Sequence, residues 1–379
     1  MPDPIKRYIE VFIPGTACNL KCHYCYLAQD GIPTNQRAQF QYSQDTMRKA
    51  ISKKRLGGAC YFNLCADGET LLEPRTVSFL KDLLEEGHYA TVVTNGTLSA
   101  RFDEICSWPL ELRQRIMFIF SFHYLELQRL NLTDIFFDNI NKIWSAGCSW
   151  FSSMVQCEEY IEHYSEIKSL FMDKVGVLPH PVKYRDDLSP DIRIKTDRTV
   201  SEYFDLGIKE FDSMIFSFEK ETYQKKVTQF CYAGDWLCYL NLCTGELRAC
   251  YGYPPFDNLF QNPDKKIKFR AVGNNCNLPY CYNGLSRLTM GVVPELKYDR
   301  YWVYRHRTRA DGTDTFTDYM KSVTEKRLYE TNEEYSEAQK RALNRYYTFN
   351  YHIKPRIKSE LSRFTPTHIA QKLKTTFSK

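Results

Sequence analysis

Cys18-Asn19-Leu20-Lys21-Cys22-His23-Tyr24-Cys25 places three thiols at CxxxCxxC spacing, directly after the apolar run Tyr8–Pro14. One loop of this length can wrap a compact metal centre, because the thiolate is the form that binds metal. The number of ligands is the informative part. Structural zinc and iron–sulfur sites are normally closed by four protein ligands. A cluster held by three cysteines leaves one iron open to a group that the chain does not supply. His23 inside the stretch keeps a second reading open, part of a zinc knuckle.

Working outward, apolar runs alternate with helix-like stretches. Tyr8–Pro14, Ala59–Leu64, Tyr89–Thr94, Ile116–Phe122, Trp150–Val155 and Val175–Leu178 read as strands. Ser43–Leu56, Arg75–Glu86, Ser99–Trp108, Thr133–Ala146 and Glu158–Asp173 read as amphipathic helices. Ser43, with Thr46 three residues on, marks a start, and Gly87 and Gly147 sit where helices stop. A β–α repeat of about 30 residues argues for a parallel sheet with crossover helices. Six strands are too few for a closed eight-stranded barrel and suit an open one. The fold class is therefore α/β, a partial (β/α)6 barrel of the TIM type, with chemistry at the C-terminal strand ends.

The strand ends carry further signals. After the second strand comes Cys65-Ala66-Asp67-Gly68-Glu69-Thr70; after the third, Thr94-Asn95-Gly96-Thr97-Leu98; after the fourth, Ser121-Phe122-His123. The CxxxCxxC loop with Tyr24 before its third cysteine, the Asp-Gly-Glu turn and the Thr-Asn-Gly turn together resemble the radical S-adenosylmethionine (radical SAM) superfamily. Asp67 stands where the family pattern has the first of two glycines. The resemblance implies a 4Fe–4S cluster on Cys18, Cys22 and Cys25, with SAM on its open iron. It further implies a 5′-deoxyadenosyl radical that removes a hydrogen atom from a substrate. The matching SAM-binding positions are Tyr24, Asp67, Gly68, Glu69, Asn95, Ser121 and His123. Glu69 is expected to accept from the SAM ammonium. The sixth strand is expected to end at Leu178–Pro181, with Lys183 and Arg185 on a rim toward adenine or substrate, where both are catalytic candidates. Each motif has a plainer reading, as an ordinary turn or a structural histidine. Their occurrence in order, at successive strand ends, is what a zinc knuckle would not require.

A second constellation follows a polar connector, Ser189–Ser201. Cys231-Tyr232-Ala233-Gly234 opens it, Trp236–Leu242 reads as a strand, Thr244-Gly245 as a hairpin turn, and Cys250 closes the return. A hairpin draws Cys231 and Cys250 together, and Cys276 and Cys281 add a local pair, so these four can close a cluster or a zinc ribbon. The CxAG opening and Asp257-Asn258-Leu259-Phe260 resemble the SPASM/twitch extension of radical SAM enzymes. No cysteine follows Cys281, so the resemblance implies one auxiliary 4Fe–4S cluster, twitch-like. Cys238 and Cys243 inside the hairpin are open between alternative ligands, a hydrogen-atom donor (Cys238 as a catalytic candidate) and packed side chains. The expected division is 1–200 for the core barrel, 201–300 for the auxiliary-cluster domain and 301–379 for a helical, basic extension.

Leu288–Arg309 is rich in Tyr and Arg, suited to a sugar or diphosphate or to packing on the barrel. Glu325–Lys340 and Arg341–Ile353 read as helices, with Pro355 breaking the second. In the 379-residue chain of net charge +5, residues 354–379 carry seven basic groups against Glu360. The body is near neutral and offers no nucleic-acid surface. Within the tail, Thr367–Phe377 has Ile369, Leu373 and Phe377 on one stripe, fit for weak contact with an anionic membrane, for a partner, or for docking on its own chain. No apolar run approaches a spanning length, and Met1–Arg7 lacks a signal sequence, so a cytoplasmic location is expected. Fourteen cysteines there suggest metal ligands rather than disulfides. The leading function is oxidation of a carbohydrate or polyol-like metabolite (a small-molecule or glycan-type substrate), with the auxiliary cluster as electron acceptor and an external donor of the flavodoxin or ferredoxin type. A peptide-modifying enzyme that crosslinks or epimerises a ribosomal peptide is the alternative. With Cys18 so near the start, a leader-binding domain before the barrel is not expected, which counts against that alternative. A non-catalytic metal-binding module is the third reading.

Overall fold

The computed structural model describes residues 2–189 and 192–353. Six parallel strands lie side by side in chain order: β1 (Arg7–Ile13), β2 (Cys60–Ala66), β3 (Tyr89–Thr94), β4 (Ile116–Ser121), β5 (Ser149–Gln156) and β6 (His180–Lys183). A short antiparallel pair, β7 (Arg185–Asp186) and β8 (Arg193–Ile194), follows. β9 (Leu237–Asn241) then pairs parallel to the free side of β1, with Tyr8 opposite Leu237. β10 (Glu246–Arg248) and β11 (Pro255–Asn258) extend the sheet antiparallel to nine strands. The hairpin expected in residues 201–300 thus continues the barrel sheet, and β1 lies between the two cysteine constellations.

Strand alternation sorts the side chains onto two faces. Ile9, Val11, Ile13, Phe62, Leu64, Val92, Phe118 and Phe120 pack outward under helices such as Pro74–Glu85 and Thr133–Ser145. Tyr8, Tyr61, Tyr89, Met117 and Phe151 point inward. There they meet Tyr301, whose ring lies 5.6 Å from that of Tyr61, and Arg305, which is 1% exposed. The Arg305 guanidinium covers the Tyr301 ring at 3.5 Å and donates to the Tyr301 carbonyl at 2.7 Å. The Tyr/Arg-rich segment therefore plugs the N-terminal half of the barrel with Tyr301 and Arg305, and the C-terminal half stays open.

Several element boundaries differ from expectation for local reasons. The apolar run 175–178 is not a strand. The helix Tyr164–Val175 ends on its first residue, and Gly176, with φ of +70°, is a left-handed cap that glycine adopts without strain. His180 consequently lies inside β6, 2% exposed, bonded to Ser213 Oγ at 2.8 Å and to the Arg305 carbonyl at 3.2 Å, so it is not a rim residue. Ser43 caps its helix by accepting from the Thr46 N–H at 3.2 Å. That helix ends at Ala50, and a separate turn spans Lys53–Leu56. Glu158–Asp173 is likewise two helices, Glu158–Ile161 and Tyr164–Val175. The helices expected at 325–353 are Leu328–Thr331 and Glu337–Tyr347. The second is set by a Ser336/Gln339 capping box, a signal present in the sequence. Pro355 and the Thr367–Phe377 stripe lie outside the described residues. Among the described residues no helix is long and apolar enough to cross a membrane.

One buried histidine makes the packing pH-sensitive. His88 Nδ1 accepts from the Cys60 N–H at 3.0 Å while Nε2 donates to the Ile51 carbonyl at 2.7 Å, so the neutral ring is fully used. Burial pushes its pKa from 6.5 down to about 4. Below pH 6.5 the unfolded chain takes up this proton and the folded one does not, so this contribution to stability falls as pH drops from 6.5 toward 4. The gap is worth ~3 kcal/mol. Chemical denaturation at pH 7, 5.5 and 4.5 should show a steeper loss for the wild type than for His88→Asn.

Candidate active site

The three thiols sit in the long loop after β1. This loop is tied down by backbone bonds from Ala17 N to the Gln36 carbonyl at 3.0 Å and from Cys18 N to the Thr34 carbonyl at 3.2 Å. Neighbouring strand ends hold it in place. Asn95 Nδ2 donates to Asn19 Oδ1 at 2.8 Å, and Asn19 Nδ2 donates to Thr97 Oγ1 at 2.8 Å. The Lys21 N–H donates to Glu126 Oε1 at 2.7 Å, and Glu126 is 7% exposed. The Leu20 N–H and Asn95 Nδ2 lie 3.4 and 3.8 Å from Cys18 Sγ, the kind of donors that support a metal-bound thiolate. The Thr-Asn-Gly turn thus braces the thiol loop. Burial pushes the Cys18 thiol up to about 11 and Cys22 well above its ordinary value, so occupation by metal must displace protons.

The second strand end is zipped against the same loop. Asp67 N donates to the Ile13 carbonyl at 3.1 Å, Gly68 N to the Gly15 carbonyl at 2.8 Å and Glu69 N to the Ala17 carbonyl at 3.0 Å. A Cβ at position 68 would lie 2.2 Å from the Ala17 carbonyl oxygen. Glu69 is 3% exposed, and its carboxylate accepts from the Thr94 hydroxyl at 2.7 Å, the Asn95 N–H at 2.8 Å and the Leu71 N–H at 3.0 Å. It therefore locks β2 to β3 as well as facing the cavity. Burial holds its pKa above the usual carboxylate range despite these donors. Tyr160 donates to the Tyr24 hydroxyl at 3.2 Å, and Tyr24 in turn reaches His123 Nδ1 at 2.6 Å. This chain of bonds assigns the imidazole proton to Nε2. Burial lowers the His123 pKa to about 4, so the ring is neutral near pH 7.

These groups open onto one cavity of about 530 Å³. Cys18, Cys22, Cys25, Tyr24, Asp67, Gly68, Glu69, Asn95, Ser121, His123, Lys183 and Arg185 all line it. Lys183 pairs with Glu219 at 3.1 Å and Arg185 with Asp187 at 3.2 Å, which sets fixed charges around the rim. Cys238 is not among the lining residues. It is fully buried on the helix-facing side of β9, and Cys243 is buried in the same core. Sequence reasoning missed Cys65, Tyr26 and Asp187 as lining residues. Cys65 was reachable by alternation, since Tyr61 and Asn63 share its inward face. Tyr26 donates to Asp67 Oδ1 at 2.7 Å and stabilises the departure from the double glycine.

Across β1, Cys231, Cys250, Cys276 and Cys281 line a single enclosed pocket whose other walls include Val227, Leu278, Leu288, Val292 and Val293. The hairpin of β9 and β10 delivers Cys250, and a bridge between Cys231 and Gly273 fixes the other side. Gly234 of the CxAG opening has φ +96°, and a Cβ there would lie 2.2 Å from the Arg270 carbonyl oxygen. Burial pushes the Cys281 thiol up to about 12. Among the described residues, Arg287 is the one charged residue lining the pocket, and it donates to Cys250 Sγ at 2.8 Å.

Both sets offer thiols, the ligand type of iron–sulfur clusters and of structural zinc. Among the described residues, the trio of His, Cys, Asp or Glu whose ligand atoms all lie within 4.8 Å is His23, Cys157 and Glu159. His23 is exposed and faces Glu159 at 3.6 Å.

No family model and no curated protein matches the chain. Among solved structures it is similar to Streptococcus suis SuiB bound to precursor peptide SuiA, at 15% identity and TM-score 0.47, over 68% of this chain and 63% of that one. It is similar to anSMEcpe with bound AdoMet and Cp18Cys peptide at 16% identity and TM-score 0.44, over 69% and 79% of the two chains. The complex of BtrN with AdoMet and 2-DOIA aligns at 14% identity and TM-score 0.31, over 68% and 80%. The chain thus spans about 63% of the length of SuiB. In fold, the chain is a partial α/β barrel with a second, four-thiol site on the strands added beside β1.

Proposed function

We propose that the chain is a radical SAM oxidoreductase acting on a carbohydrate or polyol-like metabolite. The observation that carries this reading is the three-thiol loop, braced by Asn95 and Glu126, opening on a charged cavity, with a four-thiol pocket one strand away. Cys18, Cys22 and Cys25 would hold a cluster that, with SAM, would supply hydrogen-atom abstraction, and Cys231, Cys250, Cys276 and Cys281 would hold one that could accept the second electron, with the substrate's hydroxyl proton passing to solvent. The chain's own part is positional. The edge of Asp67–Glu69 offers backbone and carboxylate acceptors to an ammonium group. His123, neutral and oriented through Tyr24, presents an N–H from the cavity wall. Lys183 and Arg185 offer donors to an oxygen-rich substrate at the rim. An external flavodoxin- or ferredoxin-type protein would deliver the starting electron.

The test is anaerobic reconstitution followed by counting of iron, sulfide, methionine and 5′-deoxyadenosine. One SAM should be consumed per substrate losing two electrons. Cys250→Ala should keep some SAM cleavage and lose net oxidation. Normal substrate oxidation by that variant would remove the electron-acceptor role, and bond formation without a two-electron loss would replace oxidation with the peptide-crosslinking class.

A further inference from the structure

We propose that Arg287 raises the reduction potential of the group held by Cys231, Cys250, Cys276 and Cys281, and that Glu10 sets how far. This rests on the reading of those four thiols as ligands of a 4Fe–4S cluster. Arg287 lies on the helix Gly284–Thr289, directly after the Cys276/Cys281 loop, and is 2% exposed. Its Nη1 donates to Cys250 Sγ at 2.8 Å. Its Nε donates to Glu10 Oε1 at 3.2 Å, and its Nη2 donates to Glu10 Oε2. The two edges of the guanidinium fork thus have different jobs. One grips the carboxylate on β1, which leaves the other aimed at the sulfur. The Tyr251 ring covers one face of the guanidinium at 4.5 Å. Asn283 Nδ2 holds Tyr251 OH at 2.9 Å and reaches Glu10 Oε1 at 3.4 Å, so the whole arrangement is fixed.

The electrostatic consequence follows from the walls. The pocket is otherwise lined by aliphatic side chains and the thiols themselves, so charges there are poorly screened. A cation and an N–H···S bond at a ligand sulfur both favour the more negative, reduced state, and net charge and sulfur hydrogen bonds are known levers on cluster potential. Glu10, 4% exposed, acts in the opposite sense from the far side of the guanidinium. An acid between Ile9 and Val11 in the strand Arg7–Ile13 is costly to bury unless paired, and Arg287 is the partner. Arg287 is therefore a positioning and tuning residue. A site tuned upward suits an acceptor of substrate electrons.

The experiment is redox titration followed by EPR on the full-length reconstituted chain with Cys18, Cys22 and Cys25 replaced by alanine, so that one signal remains. In that background Arg287→Met should lower the reduced-to-oxidised ratio at the parent's midpoint at least tenfold, which is a 59 mV fall for one electron. Glu10→Gln should move the potential the opposite way. Arg287→Lys, which keeps the charge but cannot make the fork, should fall between Arg287→Met and the parent. General loosening of the pocket would not give opposite signs. Potentials unmoved in both neutral variants, or moved in one direction by both, overturn the inference. If Arg287→Met does not load, the Glu10→Gln and Arg287→Lys shifts decide it. A parent chain that binds no iron overturns the four-thiol reading itself, whereas a loaded chain with unmoved potentials overturns this inference alone.

Discussion

Replacing Cys22 with alanine should reduce 5′-deoxyadenosine formation to background in a protein that still folds. Cys22 is the central thiol of the loop, and it lines the cavity with Cys18 and Cys25. Two remaining thiols do not hold a cluster that needs three. The loop itself does not depend on that sulfur for its path. Lys21 N is held by Glu126, Asn19 by Thr97 and Asn95, and Cys18 N by the Thr34 carbonyl. Circular dichroism and the denaturation midpoint should therefore stay near wild type, while iron content drops by one cluster's share. The two readouts separate a lost ligand from a lost fold. Wild-type amounts of 5′-deoxyadenosine from this variant would sink the assignment of the loop.

Gly68→Ala should be nearly as severe, through the backbone rather than the metal. The added methyl would lie 2.2 Å from the Ala17 carbonyl oxygen and 2.7 Å from carbonyl carbons of Thr16 and Ala17. These are main-chain atoms between β1 and Cys18, so they yield only if the thiol loop moves. Separation of the two loops breaks the Gly68–Gly15 and Glu69–Ala17 bonds. A cost of about 1–3 kcal/mol is expected from overpacking, with SAM binding lost alongside. Asp67→Gly is the control. It removes the Tyr26 bond to Asp67 Oδ1 but keeps the one to the backbone carbonyl and adds no atoms, and it should retain the fold and SAM binding. Equilibrium denaturation and SAM titration of the two variants check this. Wild-type stability and SAM affinity in Gly68→Ala would mean that the loops are not packed as described.

Much of the barrel was legible because its information is local. β1, β3, β4 and β5 appear at their apolar runs, since a buried parallel strand is a short uninterrupted apolar segment. The sixth strand was misplaced because Val-Gly-Val-Leu satisfies that pattern equally well as a helix end, and the left-handed cap at Gly176 decides between them. The split helices near Ile51 and His163 were missed because the apolar periodicity runs on across the break. At the site, the residues that the motifs name do meet around one cavity. Their division of labour was not legible. Asn95 and Glu69 work largely on the protein's own loops, and Glu126, which holds Lys21 from 105 positions away, has no motif to announce it.

From sequence alone came the two sets of thiols, their spacing, and the order of β and α elements, because neighbours along the chain set ligand spacing and hydrophobic period. Tertiary structure alone decided that Cys65 faces the cavity while Cys238 does not, that Tyr301 and Arg305 fill the barrel floor, and that Glu10 meets Arg287 across 277 residues. Those outcomes depend on which strand lies beside β1 and which face it turns inward. Pairing register and burial fix these, and no short window of residues contains them.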